Sequence, residues 1–526
     1  SILKRLRYMK KLYFVLVAVF ALLAGCSSEK GDSPEDGVEG TFRLHSFLQD
    51  GMVIQQNQPF RLWGRASAAN VKITAKASWA DREYTCKAGA DGAWVLEIPV
   101  PSAPSDNAPQ SIVVSTPLRK AVLRDLLIGE VWLLGGQSNM AFSMGQVLDA
   151  SAEISAADYP NIRFFTVQPS NTADPIFDWE RDMPAPYGQW YSTSPATAGA
   201  QSAVGYYFGR MLHQELGVPV GLVNTSNGGA TAQAYTPIEA LEGDSRLNTA
   251  FVDPYKANPN MNVLVRPAEL YNSMVHPLLP LSVRGVAWYQ GEGNWDNYPI
   301  YPLLMKTLIN AWRRNFASSE MPFYYVQIAP WGFDGDTSSQ DWFYTQSVHI
   351  GYAYQREAQS LTREQVSHSG MAVTMDVGDP DDIHPTNKRP VGERLARLAL
   401  NQTYGRSDVR CLGPRYNSLK VENGVVKLLF DHAEGLKTSD GQPPKYFYVA
   451  SAAGQPHRFY PAAAEIHGSE VWLTCPDVVK ASTAAADVAV RYAFLLYPTT
   501  NLENGTGLPA EPFRTDDWST DISYVY

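Results

Sequence analysis

The sequence predicts an α/β protein in which helices cover a parallel sheet and an antiparallel β domain flanks it at each end. Between residues 125 and 404, continuous apolar runs alternate with amphipathic helical segments, a pattern typical of a parallel sheet buried on both faces. Before and after this region, short runs of alternating polarity are separated by turn residues. A chain of 526 residues is long enough for three such domains.

The two β domains are predicted over residues 41–124 and 405–526. In the first, the alternating runs lie at 60–64, 71–77, 94–98 and 112–114. In the second, they lie at 425–430, 446–450, 471–474 and 488–494. Gly, Pro, Asn and Asp residues between the runs favour tight turns, so we expect antiparallel strands in both domains.

The central domain, residues 125–404, is predicted to hold the parallel sheet. Its strand-like runs lie at 131–134, 220–223, 285–289, 323–328 and 371–375, and its helical segments at 202–215, 301–316 and 391–401. A stretch at about 168–200, rich in Pro, Asp, Trp and Tyr, indicates an irregular insertion. Long loops of this kind often line an active site.

The first 40 residues predict export and lipid anchoring. Lys10 and Lys11 precede an apolar run at 12–23, and Ala24-Gly25-Cys26 follows it, so residues 1–26 resemble a bacterial lipoprotein signal whose cysteine is acylated. An ordinary cleaved signal is the alternative. Residues 27–40 have the composition of a flexible tether. We therefore expect a protein anchored to a bacterial membrane, on its periplasmic side or at the cell surface.

Composition excludes several classes of function. The net charge is −10, and no Lys/Arg block occurs beyond the N-terminus, so nucleic-acid binding is not expected. No Cys-x-x-Cys or His-x-x-x-His spacing suggests a metal, and no cofactor is predicted. Cys411 and Cys475 lie in the same C-terminal region, where they either pair in an oxidising compartment or remain separate thiols.

Two loops carry the residues of a serine hydrolase. Ser138 follows Gly135-Gly136-Gln137 directly after an apolar run, where a tight strand-to-helix turn can expose its hydroxyl. Asp381-x-x-His384 can supply a general base and its orienting carboxylate from one loop, although Asp379 and Asp382 are close enough to take the latter role. The alternatives are a serine that caps a helix and an Asp-rich surface turn.

Other polar segments also follow predicted strands. These are residues 224–229 and 290–294, which come after the runs at 220–223 and 285–289. Because ligands bind at the carboxyl ends of parallel strands, we expect both segments to meet the Ser138 and His384 loops in one crevice.

The chain resembles the sialate O-acetylesterase group of the SGNH hydrolases. The motifs that carry the resemblance lie at residues 50–56, 63–64, 129–140, 227–231, 270–277, 288–294, 381–388, 491–493 and 507–514. The resemblance implies an SGNH-type α/β/α sandwich, a Ser138–His384–Asp381 triad, and removal of O-acetyl groups from sialic acids without metal or nucleotide. Another acetylated glycan, such as xylan, would need the same machinery.

A tetrahedral intermediate requires preorganised hydrogen-bond donors. We expect the backbone N–H of Ser138 and that of Gly228 or Gly229 to be two of them. The third is expected from a side-chain amide: Gln290 lies nearest the strand end, whereas Asn294 resembles the block-three asparagine of SGNH enzymes.

Three further residues have open roles. Glu292 is expected to hold its loop by a hydrogen bond; the alternative is a glycosidase acid paired with Asp381. Arg356 and Arg389 are candidates for binding a sialate carboxylate. A surface glycan-binding lipoprotein without catalysis is a third hypothesis, although an intact Ser/Asp/His set argues against it.

Overall fold

The computed structural model describes residues 40–179, 188–332, 351–479, 484–518 and 522–524. The predicted signal, Cys26 and nearly all of the predicted tether lie outside the described residues, as does part of the insertion, residues 180–187. Within the described ranges, no helix is long and apolar enough to cross a membrane. No disulfide joins Cys411 to Cys475.

The N-terminal region is built from short strands. In chain order, β1 to β7 are Phe42–Leu44, Val53–Gln55, Phe60–Ala66, Lys72–Ala77, Tyr84–Lys87, Ala93–Ile98 and Gln110–Ser115. Strands β1, β3 and β6 form one antiparallel sheet, and β4 pairs antiparallel with β5 and β7. Strand β2 does not join either group, because it pairs parallel with the strand that follows β7.

That strand, β8, spans Lys120–Gly136 and runs through two structural regions. Its first part pairs antiparallel with β7, its middle part parallel with β2, and its last seven residues parallel with strands of the central sheet. The boundary predicted between residues 124 and 125 therefore falls inside a continuous strand, which couples the N-terminal region to the central sheet.

The central sheet is mixed. After β8 come β9 to β14, which are Tyr159–Thr166, Trp190–Thr193, Val220–Asn224, Gly285–Tyr289, Phe323–Val326 and Ser369–Ala372. The strand order is β10-β9-β11-β8-β12-β13-β14, and neighbours pair in parallel except β10, which is antiparallel to β9. Strands β9 and β10 were not predicted from the sequence: β9 directly precedes the stretch interpreted as an irregular insertion, and β10 is short and lies inside that stretch.

Helices lie on both faces of this sheet. In chain order, α1 to α9 are Ser138–Ala141, Ala150–Ser155, Ala203–Leu216, Ile238–Glu242, Ser245–Leu247, Asp253–Ala257, Tyr301–Asn315, Gly351–Gln365 and Arg389–Leu398, and α10, Pro476–Val479, belongs to the C-terminal region. Trp132 and Leu134 of β8 pack in one cluster with apolar residues of α3 and α9, whereas Val131 and Leu133 belong to the cluster that holds residues of α7 and α8. Alternate side chains of β8 are thus buried on opposite faces.

The C-terminal region is again made of short strands. These are β15 to β25: Arg415–Glu422, Val425–Asp431, Lys437–Thr438, Phe447–Ser451, His457–Pro461, Ala463–His467, Glu470–Thr474, Val488–Tyr492, Leu502–Glu503, Phe513–Arg514 and Ile522–Tyr524. They form a four-stranded antiparallel sheet, a five-stranded sheet and a two-stranded pair. Within the five-stranded sheet, β19 and β25 are parallel.

A buried carboxylate, Glu130, links three parts of the chain. It lies on β8, 2.7 Å from the Arg284 guanidinium, and accepts hydrogen bonds from Gln55 and Gln56 of the N-terminal region and from the Tyr404 hydroxyl. A buried charge with one cationic partner and several hydrogen-bond donors is adequately compensated. Removing the carboxylate would take one acceptor from each of these four partners, of which Gln55 also donates to the Gln56 carbonyl.

We therefore predict that Glu130→Ala destabilises the protein by about 3 kcal/mol, because four buried or half-buried donors lose a buried carboxylate. Glu97→Ala is the matched control: Glu97 also pairs with an arginine, Arg61, at 2.7 Å, but its side chain is 56% exposed, so we expect a loss under about 1 kcal/mol. Thermal unfolding of the two variants measures the difference. Equal shifts in Tm would contradict the assigned role of Glu130.

Candidate active site

Ser138 lies at the carboxyl end of β8, where a tight turn starts α1. Gly136 has φ +126°, and a Cβ at this position would lie 2.1 Å from the Tyr289 carbonyl oxygen of β12. Only glycine fits so close to a neighbouring strand with this backbone conformation. Gln137 is the N-cap of α1, and Ser138 is its first residue rather than its cap. The turn leaves Ser138 half-buried.

The loop that follows β14 brings His384 to this serine. The Oγ atom of Ser138 lies 2.8 Å from Nε2 of His384, although 246 residues separate the two in sequence. This distance allows the hydroxyl to donate a hydrogen bond to a neutral imidazole and to lose its proton to it. The structure thus brings together the two residues predicted to be nucleophile and general base.

The carboxylate beside His384 belongs to Asp382 and not to Asp381. Asp382 Oδ1 lies 3.3 Å from Nδ1 of His384 and also accepts from the His384 backbone N–H at 2.8 Å. Asp381 and Asp382 are both exposed, and the backbone N–H groups of both donate to Asp379 Oδ1. This Asx-type turn sets the direction of the loop, which corrects the assignment of the orienting carboxylate to Asp381.

The surroundings of His384 favour its neutral form. Burial lowers the pKa of His384, the nearby Asp382 carboxylate opposes this, and the Lys388 ammonium lowers the pKa further. The imidazole therefore remains an acceptor for the serine proton to lower pH than a free histidine would. If Ser138 donates to Nε2, the ring proton is on Nδ1 and faces Asp382.

Backbone donors lie next to Ser138. The position that a Cβ would take on Gly228 is 3.9 Å from Ser138 Cβ, so the Gly228 backbone passes beside the nucleophile. Gly229 has φ +72°, and a Cβ there would lie 2.8 Å from Leu264 Cδ1. Among the described residues, none accepts a hydrogen bond from the backbone N–H of Ser138, Gly228 or Gly229. These N–H groups are available to an oxyanion.

Neither predicted side-chain amide is available as a third donor. The Nδ2 group of Asn294 donates to Gln233 and Asn297, and its Oδ1 accepts from Gln290 Nε2 at 2.8 Å. The Nε2 group of Gln290 also donates to the Ala230 carbonyl at 3.3 Å. Both side chains are fully buried. Their N–H groups donate to residues of neighbouring loops and are not free for an oxyanion. The prediction that Gln290 or Asn294 completes the oxyanion hole is therefore wrong.

Glu292 is buried beside Asn139, the residue that follows Ser138. Its Oε1 accepts a hydrogen bond from Asn139 Nδ2 at 2.6 Å, and burial raises its pKa. A carboxyl that is covered by protein and bonded to Asn139 is poorly placed to protonate a bound glycosidic oxygen. The contacts agree with the expected hydrogen-bonding role of Glu292 in its loop.

Lys388 is a buried cation that the sequence analysis left without a role. Its Nζ donates to Asn139 Oδ1 at 2.5 Å and lies 4.8 Å from the centre of the Phe142 ring. Burial lowers the pKa of Lys388 to about 7, and the Glu292 and Asp382 carboxylates oppose this shift. The only signal in the sequence was its place four residues after His384; burial of a lysine there depends on tertiary packing.

The two arginines proposed for carboxylate binding lie in different settings. Arg356 is buried, and its guanidinium donates to the carbonyls of Ile328, Leu495 and Leu496, so it is a structural residue and the prediction for it is wrong. Arg389 is half-exposed and ion-paired with Glu153. It stays a candidate that would have to exchange this partner for a substrate carboxylate.

Comparisons with known proteins agree in the kind of enzyme they indicate. Residues 128–401 match the family model described as carbohydrate esterase, sialic acid-specific acetylesterase. The chain is 27% identical over 529 residues to a sialate O-acetylesterase of Rattus norvegicus, covering 90% of this chain and 94% of the relative. It is 27% identical over 511 residues to the Homo sapiens sialate O-acetylesterase, covering 90% and 92%.

A solved structure is similar over nearly the whole chain. The crystal structure of a carbohydrate acetylesterase from Xanthomonas citri superposes with a TM-score of 0.76 and 33% sequence identity, covering 91% of this chain and 100% of that one. The similarity therefore extends beyond the central sheet to the flanking β regions.

The contact between Asp382 and His384 predicts a specific pH effect. Asp382→Asn removes the charge that raises the His384 pKa, so the acid limb of the kcat/KM profile on an aryl acetate should move to lower pH. We also expect kcat to fall about 10- to 100-fold, because the imidazole loses its orienting acceptor.

Asp381→Asn is the matched control, with an adjacent carboxylate removed and no contact to the ring lost. It should leave both the profile and kcat within about twofold of wild type, because the ring keeps its contact with Asp382. If Asp381→Asn has the larger effect, the orienting carboxylate is Asp381 after all.

Proposed function

Since the chain belongs to the carbohydrate esterase family of sialic acid-specific acetylesterases, we propose that it removes O-acetyl groups from sialic acids through an acetyl-serine intermediate on Ser138. The observation that carries the mechanism is the 2.8 Å contact between Ser138 Oγ and His384 Nε2. It pairs a nucleophile with a base at the edge of the sheet where loops from several strands meet.

In the first half-reaction, Ser138 Oγ attacks the acetyl carbonyl carbon while His384 Nε2 accepts the serine proton. The negative charge that develops on the carbonyl oxygen is stabilised by the backbone N–H groups of Ser138 and Gly228. Collapse of the tetrahedral intermediate breaks the bond between the carbonyl carbon and the sugar oxygen. His384 returns its proton to that oxygen, so the sugar leaves as an alcohol.

In the second half-reaction, water attacks the acetyl group on Ser138. His384 accepts a proton from this water, the same N–H groups stabilise the second oxyanion, and the proton is returned to Ser138 Oγ as acetate departs. Asp382 holds the ring with Nδ1 protonated and stabilises the imidazolium that forms in each half-reaction.

The charge around His384 supports a second substrate class. Asp379, Asp381 and Asp382 lie on the loop that carries His384, and Arg356 is engaged by backbone carbonyls. Carboxylates at the rim of the crevice favour an uncharged acetylated sugar over one that carries its own carboxylate. Esterase activity on an acetylated neutral glycan such as xylan is therefore the second candidate function.

A non-catalytic glycan-binding protein and a glycosidase have less support. A glycan-binding lipoprotein without activity would have no need for the Ser138–His384 contact, and a glycosidase would need an accessible carboxylate pair. Glu292 is buried, whereas Asp381 is exposed. Their environments do not resemble two carboxylates that face one substrate.

Acetate release from three substrates tests the proposal. We expect wild-type protein to release acetate from an aryl acetate and from O-acetylated sialic acid, with acetylated xylan testing the second candidate. Ser138→Ala should lower kcat by about 10⁴-fold or more, because the proposed acyl intermediate forms on the Ser138 hydroxyl.

Ser143→Ala is the matched control, since Ser143 lies just beyond α1 and its hydroxyl donates to the Gln146 side chain in its own turn. It should keep near wild-type activity. Full activity in Ser138→Ala would contradict the mechanism. Sugar binding without acetate release from any substrate would identify a binding protein, and release of a free monosaccharide would identify a glycosidase.

We further propose that the protein is exported and anchored through a lipid on Cys26. The support is the order of a basic start, an apolar run at 12–23 and Ala24-Gly25-Cys26, followed by a polar stretch long enough to act as a tether.

Expression in a bacterial host with a radiolabelled fatty acid tests this anchor. The full chain should be labelled and should fractionate with membranes. Cys26→Ala should lose the label, because the acylated thiol is gone. Label retained in Cys26→Ala, or wild-type protein found only in the soluble fraction, would refute the anchor.

A further inference from the structure

Asn139 occupies a buried position between the two loops that carry Ser138 and His384. It directly follows Ser138, and its side-chain Nδ2 donates to the backbone carbonyl of Ile383, the residue directly before His384, at 3.0 Å. One side chain thus connects the immediate neighbours of both reacting groups. The Asn139 residue is 1% exposed, so water does not compete for these contacts.

We propose that Asn139 is a positioning residue for the reaction, held in one orientation by Lys388 and Glu292, and that it sets the Ser138–His384 distance. The inference rests on the proposed esterase function and concerns groups that do not touch the substrate.

The orientation of the Asn139 amide is determined by its partners. Its two Nδ2 hydrogens are used by Glu292 Oε1 at 2.6 Å and by the Ile383 carbonyl, while its Oδ1 accepts from Lys388 Nζ at 2.5 Å. A flipped amide would place its oxygen against two acceptors and its N–H groups against an ammonium. All three contacts would then be repulsive, so the amide cannot flip without disrupting the site.

The burial of Lys388 and Glu292 is hard to explain by stability alone. Both side chains are buried, each contacts Asn139, and buried charged groups seldom stabilise a protein more than apolar residues of the same size would. Glu292 Oε2 is also buried without a hydrogen-bond partner in the described part of the chain. Burying both groups costs stability. Their burial is better explained by their contacts to Asn139: Glu292 binds one end of its amide and Lys388 the other.

The charge on Lys388 also affects the protonation of His384. Lys388 is faced by the carboxylates of Glu292 and Asp382 and by the rings of Phe142 and Tyr289, and the Phe142 ring stacks near the His384 imidazole, with ring centres 6.3 Å apart. Because the Lys388 ammonium disfavours a second positive charge at His384, removing it should raise the pKa of the imidazole.

The first test compares Asn139→Ala with Asn504→Ala in the full chain. Asn504 is also 1% exposed, and its Nδ2 also has two acceptors, which are the backbone carbonyls of Leu412 and His432 in the C-terminal region. We expect Asn139→Ala to lower kcat on an aryl acetate about 10- to 100-fold while KM changes less than about threefold, since a small misplacement of reacting groups has this effect.

Asn504→Ala should destabilise the protein to a similar degree and leave kcat near wild type. Wild-type kcat in folded Asn139→Ala, or an equal loss of kcat in both variants, would overturn the inference. A wild-type protein that releases no acetate would instead refute the proposed function, so the two failures are distinguishable.

The second test separates the contact to Ile383 from packing, and it remains informative if Asn139→Ala does not fold. In the double variant Asn139→Asp/Glu292→Gln, the carboxylate at position 139 can accept hydrogen bonds from Lys388 and from the amide at position 292. This carboxylate cannot donate to the Ile383 carbonyl. We expect a folded protein whose kcat is still about 10-fold or more below wild type. Recovery of wild-type kcat would show that the Ile383 contact is not needed.

The pH dependence of kcat/KM would not change if the role of Lys388 were only structural. Lys388→Met should shift the acid limb of kcat/KM to higher pH, because the charge that lowers the His384 pKa is gone. Lys388→Arg, which keeps the charge, should leave the limb in place even if kcat falls. A limb that moves equally in both variants would contradict the assigned effect of the Lys388 charge.

Discussion

The position of the candidate active site depends on β8. This strand is hydrogen-bonded to the N-terminal region at one end and lies at the middle of the central sheet at the other, with its alternate side chains buried on opposite faces. A strand held in this way has almost no freedom to slide, because a shift by one residue would turn every buried side chain to the wrong face. Ser138, two residues beyond its end, is therefore fixed relative to β11 and β12, whose loops supply Gly228 and Glu292.

Much of this arrangement could be predicted from the sequence. Periodicity distinguishes apolar runs from amphipathic segments, and the rule that sites lie at the carboxyl ends of parallel strands then brings Ser138, Gly228 and His384 to one edge. What could not be predicted is which polar side chains remain available at that edge. Gln290 and Asn294 have suitable chemistry, but their N–H groups are taken by neighbouring loops. Such occupancy depends on tertiary contacts that no local pattern records.

The choice between adjacent aspartates shows the same limit. Asp381 has the Asp-x-x-His spacing, whereas Asp382 is the residue beside the ring, because hydrogen bonds to Asp379 decide how the turn presents each side chain. The contacts of Lys388 and Glu292 were not predictable either. The sequence places both residues near the site but does not indicate that both are buried and bonded to Asn139. Burial determines the protonation of these groups, and through it the charge that His384 experiences.

The central claim is that Ser138 becomes acetylated during turnover, and trapping this species tests it most directly. The enzyme is mixed with an aryl acetate, quenched in acid within the first turnovers, digested and analysed by mass spectrometry. The account predicts one added acetyl group on the peptide that contains Ser138, lost on longer incubation as acetate is released. Acetate release with no acetylation at Ser138, or with the acetyl group on another residue, would contradict it.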